Sequence, residues 1–174
     1  SVNAMKSSFT SFFQDAFIDD RGKRYEKNQV PFLSESFDLI LTTKVILEHV
    51  SNPQVFLNEC YRVLRKGGDA FFIASFVRSQ HQVPYDFFRF TEFALSNLLK
   101  NSGFKIKYIR ATNGAITTVA FVAPYFISGL SLPWFCKKLF FAFLKLIIGP
   151  LTNWLDKYDK NRNFPAYFVV RVTK

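Results

Sequence analysis

Cysteine, methionine, histidine and glycine are all scarce in this chain of 174 residues, at two, one, two and seven copies. Cys60 and Cys136 stand at no metal-ligand or redox spacing. A disulfide framework and a cysteine-based metal centre are therefore excluded, two free core thiols are expected, and a reducing cytoplasm is the expected setting. No metal-ligating set of any kind is expected. Glycine is thinnest at the start: Gly22 is the single glycine of the first 30 residues. A signal peptide is not expected either, because the Phe-rich stretch 7–20 is broken by Gln14, Asp15 and Asp19. Long uninterrupted apolar runs are missing as well. The two most apolar stretches, 119–135 and 139–151, contain or are bounded by Pro124, Pro133, Lys137, Lys138, Lys145 and Pro150. Neither reaches the roughly 18 residues of a membrane-spanning helix.

Acids are almost absent from the second half. Residues 100–174 hold 12 Lys and Arg against Asp156 and Asp159 alone, which is the whole net charge of +10, whereas residues 1–99 hold 11 basic and 11 acidic residues. Such asymmetry points the basic half at an anionic surface, and of the choices an anionic membrane is expected rather than nucleic acid.

What is abundant is phenylalanine, at 23 residues, within a composition that is 49% hydrophobic and 21% charged. This is the make-up of one globular domain, not of a disordered chain. Residues 1–4 precede the only methionine, Met5, and read as an expression scar before the native start; 5–30 form an atypical leading segment.

Further along, local patterns alternate. Ser36 to Thr43 is a short apolar run entered from a polar turn, as in a strand buried on both faces. Asn52 and Pro53 suit the cap and first position of a helix whose apolar residues Val55, Phe56, Cys60, Val63 and Leu64 keep helical spacing, with Gly67-Gly68 as its stop. A strand over 70–76, a helix from Thr91 to Leu99 closed at Gly103, a strand over 105–109 and a last strand over 166–172 follow. Strand, helix, strand, helix, strand predicts an α/β sheet of the parallel type. Core 31–115 is interrupted before the last strand (161–174) by an apolar insertion, 116–160. Three readings are open for it: helices packed on the sheet, a dimer contact, or interfacial helices lying on a membrane with lysines among Phe, Leu and Trp.

Five stretches carry a resemblance: Pro31-Phe32 with Ser36-Phe37-Asp38; Leu47-Glu48-His49-Val50 with Pro53; Tyr61-Arg62-Val63-Leu64 with Gly67-Gly68; His81-Gln82-Val83-Pro84-Tyr85-Asp86-Phe87-Phe88-Arg89-Phe90-Thr91; and Gly103-Phe104. In this order the chain resembles the C-terminal half of a class I methyltransferase dependent on S-adenosylmethionine (SAM), of the type 11 kind. The resemblance implies an incomplete Rossmann-like sheet with ligands at the carboxyl ends of its strands. It implies SAM as cofactor and a small-molecule, glycan or lipid-linked acceptor, worked on in the cytoplasm or at the periphery of its membrane. By the same resemblance Glu26, Pro31, Phe32, Thr42, Thr43 and Glu48 border the cofactor, while His81, Asp86 and Arg89 face the acceptor as the catalytic candidates.

The family's glycine-rich turn has no counterpart upstream of Glu26. Glycine is needed there so that backbone can approach the donor closely. The expectation is a truncated, methyltransferase-family chain that binds SAM weakly or not at all by itself. The alternative is an inactive binding or membrane-surface protein on the same fold. Without the family's first strands, the apolar edge at 37–43 calls for cover by residues 7–18 or by a second copy of the chain.

Overall fold

The structure, a computed structural model, describes residues 32–42 and 46–174. Glu26, Pro31 and Thr43, and the stretch 7–18 expected to cover the sheet edge, lie outside the described residues.

The first strand, β1 (Phe37–Leu41), buries Ile40 and stands at the end of the described sheet. Helix α1 (Pro53–Val63) starts as its sequence dictates: the Asn52 side chain accepts from the Val55 N–H at 3.2 Å, and Pro53 occupies the first turn. Phe56, Leu57, Cys60 and Val63 form its buried stripe. Strand β2 (Leu64–Ser75) follows without a loop. This corrects the expected helix end. Gly67 and Gly68 lie in β2, not after α1. Gly67 takes a φ of +79°, its N–H donates to the Lys174 carbonyl at 3.0 Å, and the Lys174 N–H donates to the Gly68 carbonyl at 3.1 Å. The glycine pair joins the strand to the chain's last residue.

Helix α2 (Glu92–Asn101) is capped by Thr91, whose hydroxyl accepts from the Ala94 N–H at 3.2 Å, and closes at Gly103 with a φ of +93°. Strands β3 (Lys105–Ala111) and β4 (Tyr167–Thr173) complete the sheet in the order β1-β2-β4-β3. β1 and β2 are parallel, but β4 runs antiparallel to both of its neighbours, so the sheet is mixed rather than parallel throughout. The reason is where the insertion begins and ends. Thr112, after β3, donates its N–H to the carbonyl of Tyr167, at the start of β4, at 3.0 Å. The chain leaves and rejoins the sheet at one end, so the last strand has to run back. The centre of the core is Phe72, 1% exposed, with the rings of Phe56 and Phe104 edge-on to it at 6.5 and 6.1 Å.

Between β3 and β4 lie α3 (Ala115–Gly129), α4 (Trp134–Phe143), a π-helical stretch (Leu144–Ile148) and α5 (Gly149–Leu155). None of these helices is long and apolar enough to cross a membrane. Their burial is inverted. The buried residues described between 114 and 156 are Gly114, Thr118, Thr152 and Asp156, whereas Phe126, Trp134, Leu139 and Leu146 are each 69–73% exposed. Of the three readings of the insertion, burial against its own sheet is the one that these exposures contradict. Polar groups do the mooring. The Asp156 carboxylate accepts from the N–H groups of Gly114, Ile116 and Thr117 at 2.8–3.2 Å, and Asp159 accepts from Ala115 at 2.7 Å, so two carboxylates cap the start of α3. Hydrogen bonds from Thr117, Gly114 and Ile116 outweigh the burial of Asp156, and its carboxyl is held below the usual carboxylate range.

Candidate functional site

Two loops leave the carboxyl ends of the parallel strands and meet. The first, after β1, makes a 3₁₀ turn (Leu47–His49) that carries Glu48 inward, fully buried. The second runs from Ser75 to Thr91 and returns to the first: the Phe87 N–H donates to the Glu48 carbonyl at 2.8 Å, and the Phe90 N–H to the Ser75 carbonyl at 2.8 Å. Sheet register brings together residues that are distant in sequence.

At the junction the Ser75 hydroxyl donates to Glu48 Oε1 at 2.6 Å. His81 Nε2 lies 3.5 Å from the same oxygen and His49 Nε2 lies 3.8 Å from it. The two imidazoles meet edge to face with centroids 4.8 Å apart. Glu48 Oε2 is buried and has no hydrogen-bond partner among the described residues, which is rare for a buried carboxylate oxygen.

Asp86 and Arg89 shape the loop around His81. Both Asp86 oxygens accept from the Arg89 guanidinium, at 2.6 and 2.7 Å, and Oδ2 also accepts from the His81 backbone N–H at 2.9 Å. Arg89 additionally donates to the Ser79 carbonyl at 3.0 Å. The Arg89 guanidinium holds the Asp86 carboxyl far below the usual carboxylate range, against the opposing effect of its burial. Asp86 and Arg89 spend their hydrogen bonds on each other and on the loop. Of the three residues expected to face the acceptor, His81 is the one whose ring meets Glu48.

Thr42 sits at the carboxyl end of β1, as expected, but its hydroxyl donates back to the Phe71 carbonyl at 3.1 Å. Phe32 is half-buried and packs its ring edge-on to Phe37 at 5.1 Å. Thr42 and Glu48 thus turn their polar groups into the fold. Arg62 pairs with Glu59 on its own helix at 2.9 Å, and Asp38 pairs with Arg65 at 2.7 Å near the start of β1; both are structural contacts. Burial pushes the Cys60 thiol far up, which removes it as a nucleophile.

The grouping of Glu48 with His49 and His81 escaped sequence reasoning. Its one legible signal was that both of the chain's histidines fall in loops following strands of the same sheet.

The model of the methyltransferase domain family matches residues 16–72, starting upstream of Pro31, where the motif-based resemblance begins. Among curated proteins no relative matches. Solved structures do. The complex of a methyltransferase activator from Haloferax volcanii with a methyltransferase-like partner is 12% identical, with 83% of this chain and 57% of that one covered, at a TM-score of 0.50. A SAM-dependent methyltransferase from Thermotoga maritima is 22% identical, with 88% and 65% covered, at 0.47. A SAM-dependent methyltransferase from Aquifex aeolicus is 20% identical, with 51% and 46% covered, at 0.40. The chain spans about half to two thirds of the length of these structures. Over residues 16–72, a third of the chain, the sequence is thus similar to methyltransferase domains, and the fold is similar to that of the Haloferax volcanii complex.

Proposed function

We propose that this chain supplies the acceptor side of a SAM-dependent methyl transfer and holds the donor weakly by itself. The observation behind this reading is the junction of the two loops at the carboxyl ends of β1 and β2. Open α/β sheets bind ligands at that edge, and there His81 stands fixed by the Asp86–Arg89 pair. Weak donor binding follows from the scarcity of glycine before residue 31 and from the inward turn of Thr42 and Glu48. Methyl transfer from an activated sulfonium depends mainly on alignment of donor and acceptor, so a chain that does not fix the donor is slow alone. Calorimetric titration of SAM into the purified chain is expected to give a dissociation constant weaker than about 10 μM, or roughly 7 kcal/mol of binding. A tighter value overturns the reading.

A second reading concerns place. The inverted burial of residues 114–156 favours an anionic membrane surface over a dimer contact. Trp134, Leu139 and Leu146 face outward beside Lys137, Lys138 and Lys145, and no acid lies between residues 115 and 155. Apolar insertion and basic attraction together hold an interfacial helix on anionic lipid. A lipid-linked acceptor is the substrate class that fits this surface, at the cytoplasmic face. Flotation with vesicles rich in anionic lipid at low salt is expected to carry the chain upward. Lys137→Glu with Lys138→Glu is expected to weaken binding, each lysine contributing about 1 kcal/mol near such a surface. An unbound chain, or a double variant that floats equally well, refutes the membrane contact.

A further inference from the structure

We propose that Glu48, His49 and His81 form a binding site for one divalent transition-metal ion of the zinc or iron(II) class. The chain has only two histidines. They sit on different loops, yet their rings lie 4.8 Å apart and both turn Nε2 to the same fully buried carboxylate. One ligand atom from each of the three residues lies within 4.8 Å of the others.

Tautomers follow from the partners on the far side of each ring. His49 Nδ1 lies 2.7 Å from the Tyr85 carbonyl, which can only accept, so Nδ1 carries the proton. His81 Nδ1 lies 3.2 Å from the Ser79 carbonyl and 3.3 Å from Asp86 Oδ2, again acceptors only. In the neutral rings both Nε2 atoms therefore present lone pairs to a carboxylate oxygen. Lone pairs facing one another at 3.5 and 3.8 Å repel until a proton or a metal ion lies between them, and an ion shared by both rings and the carboxylate relieves all three at once. The buried Glu48 Oε2, without a hydrogen-bond partner among the described residues, has the same need.

The surroundings are those of a metal centre. Histidine ligands to metals donate their other N–H to a carbonyl or carboxylate, which fixes the ring and raises its basicity. Here Tyr85 serves His49, while Ser79 and Asp86 serve His81, with Asp86 locked in turn by Arg89. Two imidazoles and one carboxylate suit borderline ions such as zinc and iron(II) and do not suit magnesium or calcium, which take oxygen ligands. Bonds of about 2.0–2.2 Å set donor atoms roughly 3–3.5 Å apart, so closing on an ion takes side-chain shifts of about an ångström and no change of fold. Three protein ligands leave positions open for water or a substrate atom. The site lies where the acceptor is proposed to bind, but it stands independently of methyl transfer, and weak or tight SAM binding leaves it unaffected.

The test uses the full chain without an affinity tag, carrying Cys136→Ser so that the one partly exposed thiol does not compete. The protein is stripped with chelator, titrated with Zn²⁺ or Co²⁺, desalted, and analysed for metal. About one ion per chain is expected to remain, with a Co²⁺ absorption spectrum of nitrogen and oxygen ligation. Glu48→Gln and His81→Asn are each expected to weaken retention by at least tenfold, and Asp86→Asn, outside the ligand set, by about 10- to 100-fold. Near-UV circular dichroism checks that each variant is folded; if one is not, the Co²⁺ spectrum of the parent chain still decides. A parent chain that retains no ion and gives no Co²⁺ spectrum overturns the proposal. So do folded variants that bind as tightly as the parent.

Discussion

The α/β core and the insertion at 116–160 use the same apolar alphabet to opposite ends. In the core the alphabet is turned inward: Phe72, Leu57, Val63 and Val170 are at most 1% exposed. In the insertion, Phe126, Trp134 and Leu139 are turned outward, and the buried positions are taken by Thr118, Thr152 and Asp156. Hydrophobicity therefore does not assign a residue to the interior. An apolar side chain is buried only where a second apolar surface stands opposite it. The core helices have the sheet for that purpose, whereas the insertion is fastened at one end by carboxylate-to-amide hydrogen bonds and, among the described residues, has no apolar face set against it over most of its length.

The contrast can be broken or sharpened by substitution. The largest effect is expected in the core, where Phe72→Ala should cost about 3–5 kcal/mol, through lost transfer energy and the cavity left among Phe56 and Phe104. Chemical denaturation of the folded chain measures this directly.

A middle effect is expected at the mooring. Asp156→Ala orphans three backbone donors, of which the Gly114 N–H is buried, and a buried donor left unsatisfied costs about 1–3 kcal/mol. Gly114→Ala should act in the same direction, because a Cβ there would meet the Asp156 carboxyl at 2.7 Å. Hydrogen exchange is the measurement: amides of 115–118 should lose protection in both variants while those of 70–74 keep theirs. Equal loss in both regions would mean that the insertion and the core are one cooperative unit.

Acid should expose the same difference without mutation. The Asp156 carboxyl is depressed in the folded chain, so its contribution is fully present above the unfolded value near about 4. It is lost as pH falls through the lower folded value. Protease cleavage in 115–155 should accordingly appear at a higher pH than cleavage of the core. The smallest effect on stability is expected at Phe126→Ser, within about 0.5 kcal/mol as for other exposed sites. The same change should reduce flotation with anionic vesicles.

Local features of the fold were legible because they are written within a few residues. Asn52, Pro53, Thr91 and Gly103 mark helix ends by their own side chains or by the lack of one, and each acts as its type predicts. Gly67-Gly68 was misread because a glycine pair after an apolar helical stripe also suits a strand that must meet the chain's last residue. The two loops of the candidate site could be identified from His81 to Arg89 and from Leu47 to Val50. Their meeting could not, since no local pattern encodes which strands become neighbours.

From its sequence alone this chain had its strands, its caps, its family resemblance and the charge asymmetry of its halves. Those follow from chemistry acting over a turn or a strand. Tertiary structure alone decided the reversed direction of β4, the outward turn of the insertion's aromatics, and the convergence of both histidines on one buried glutamate. Each of these depends on what stands opposite a residue in space, which sheet register and the route of the chain determine and no single segment contains.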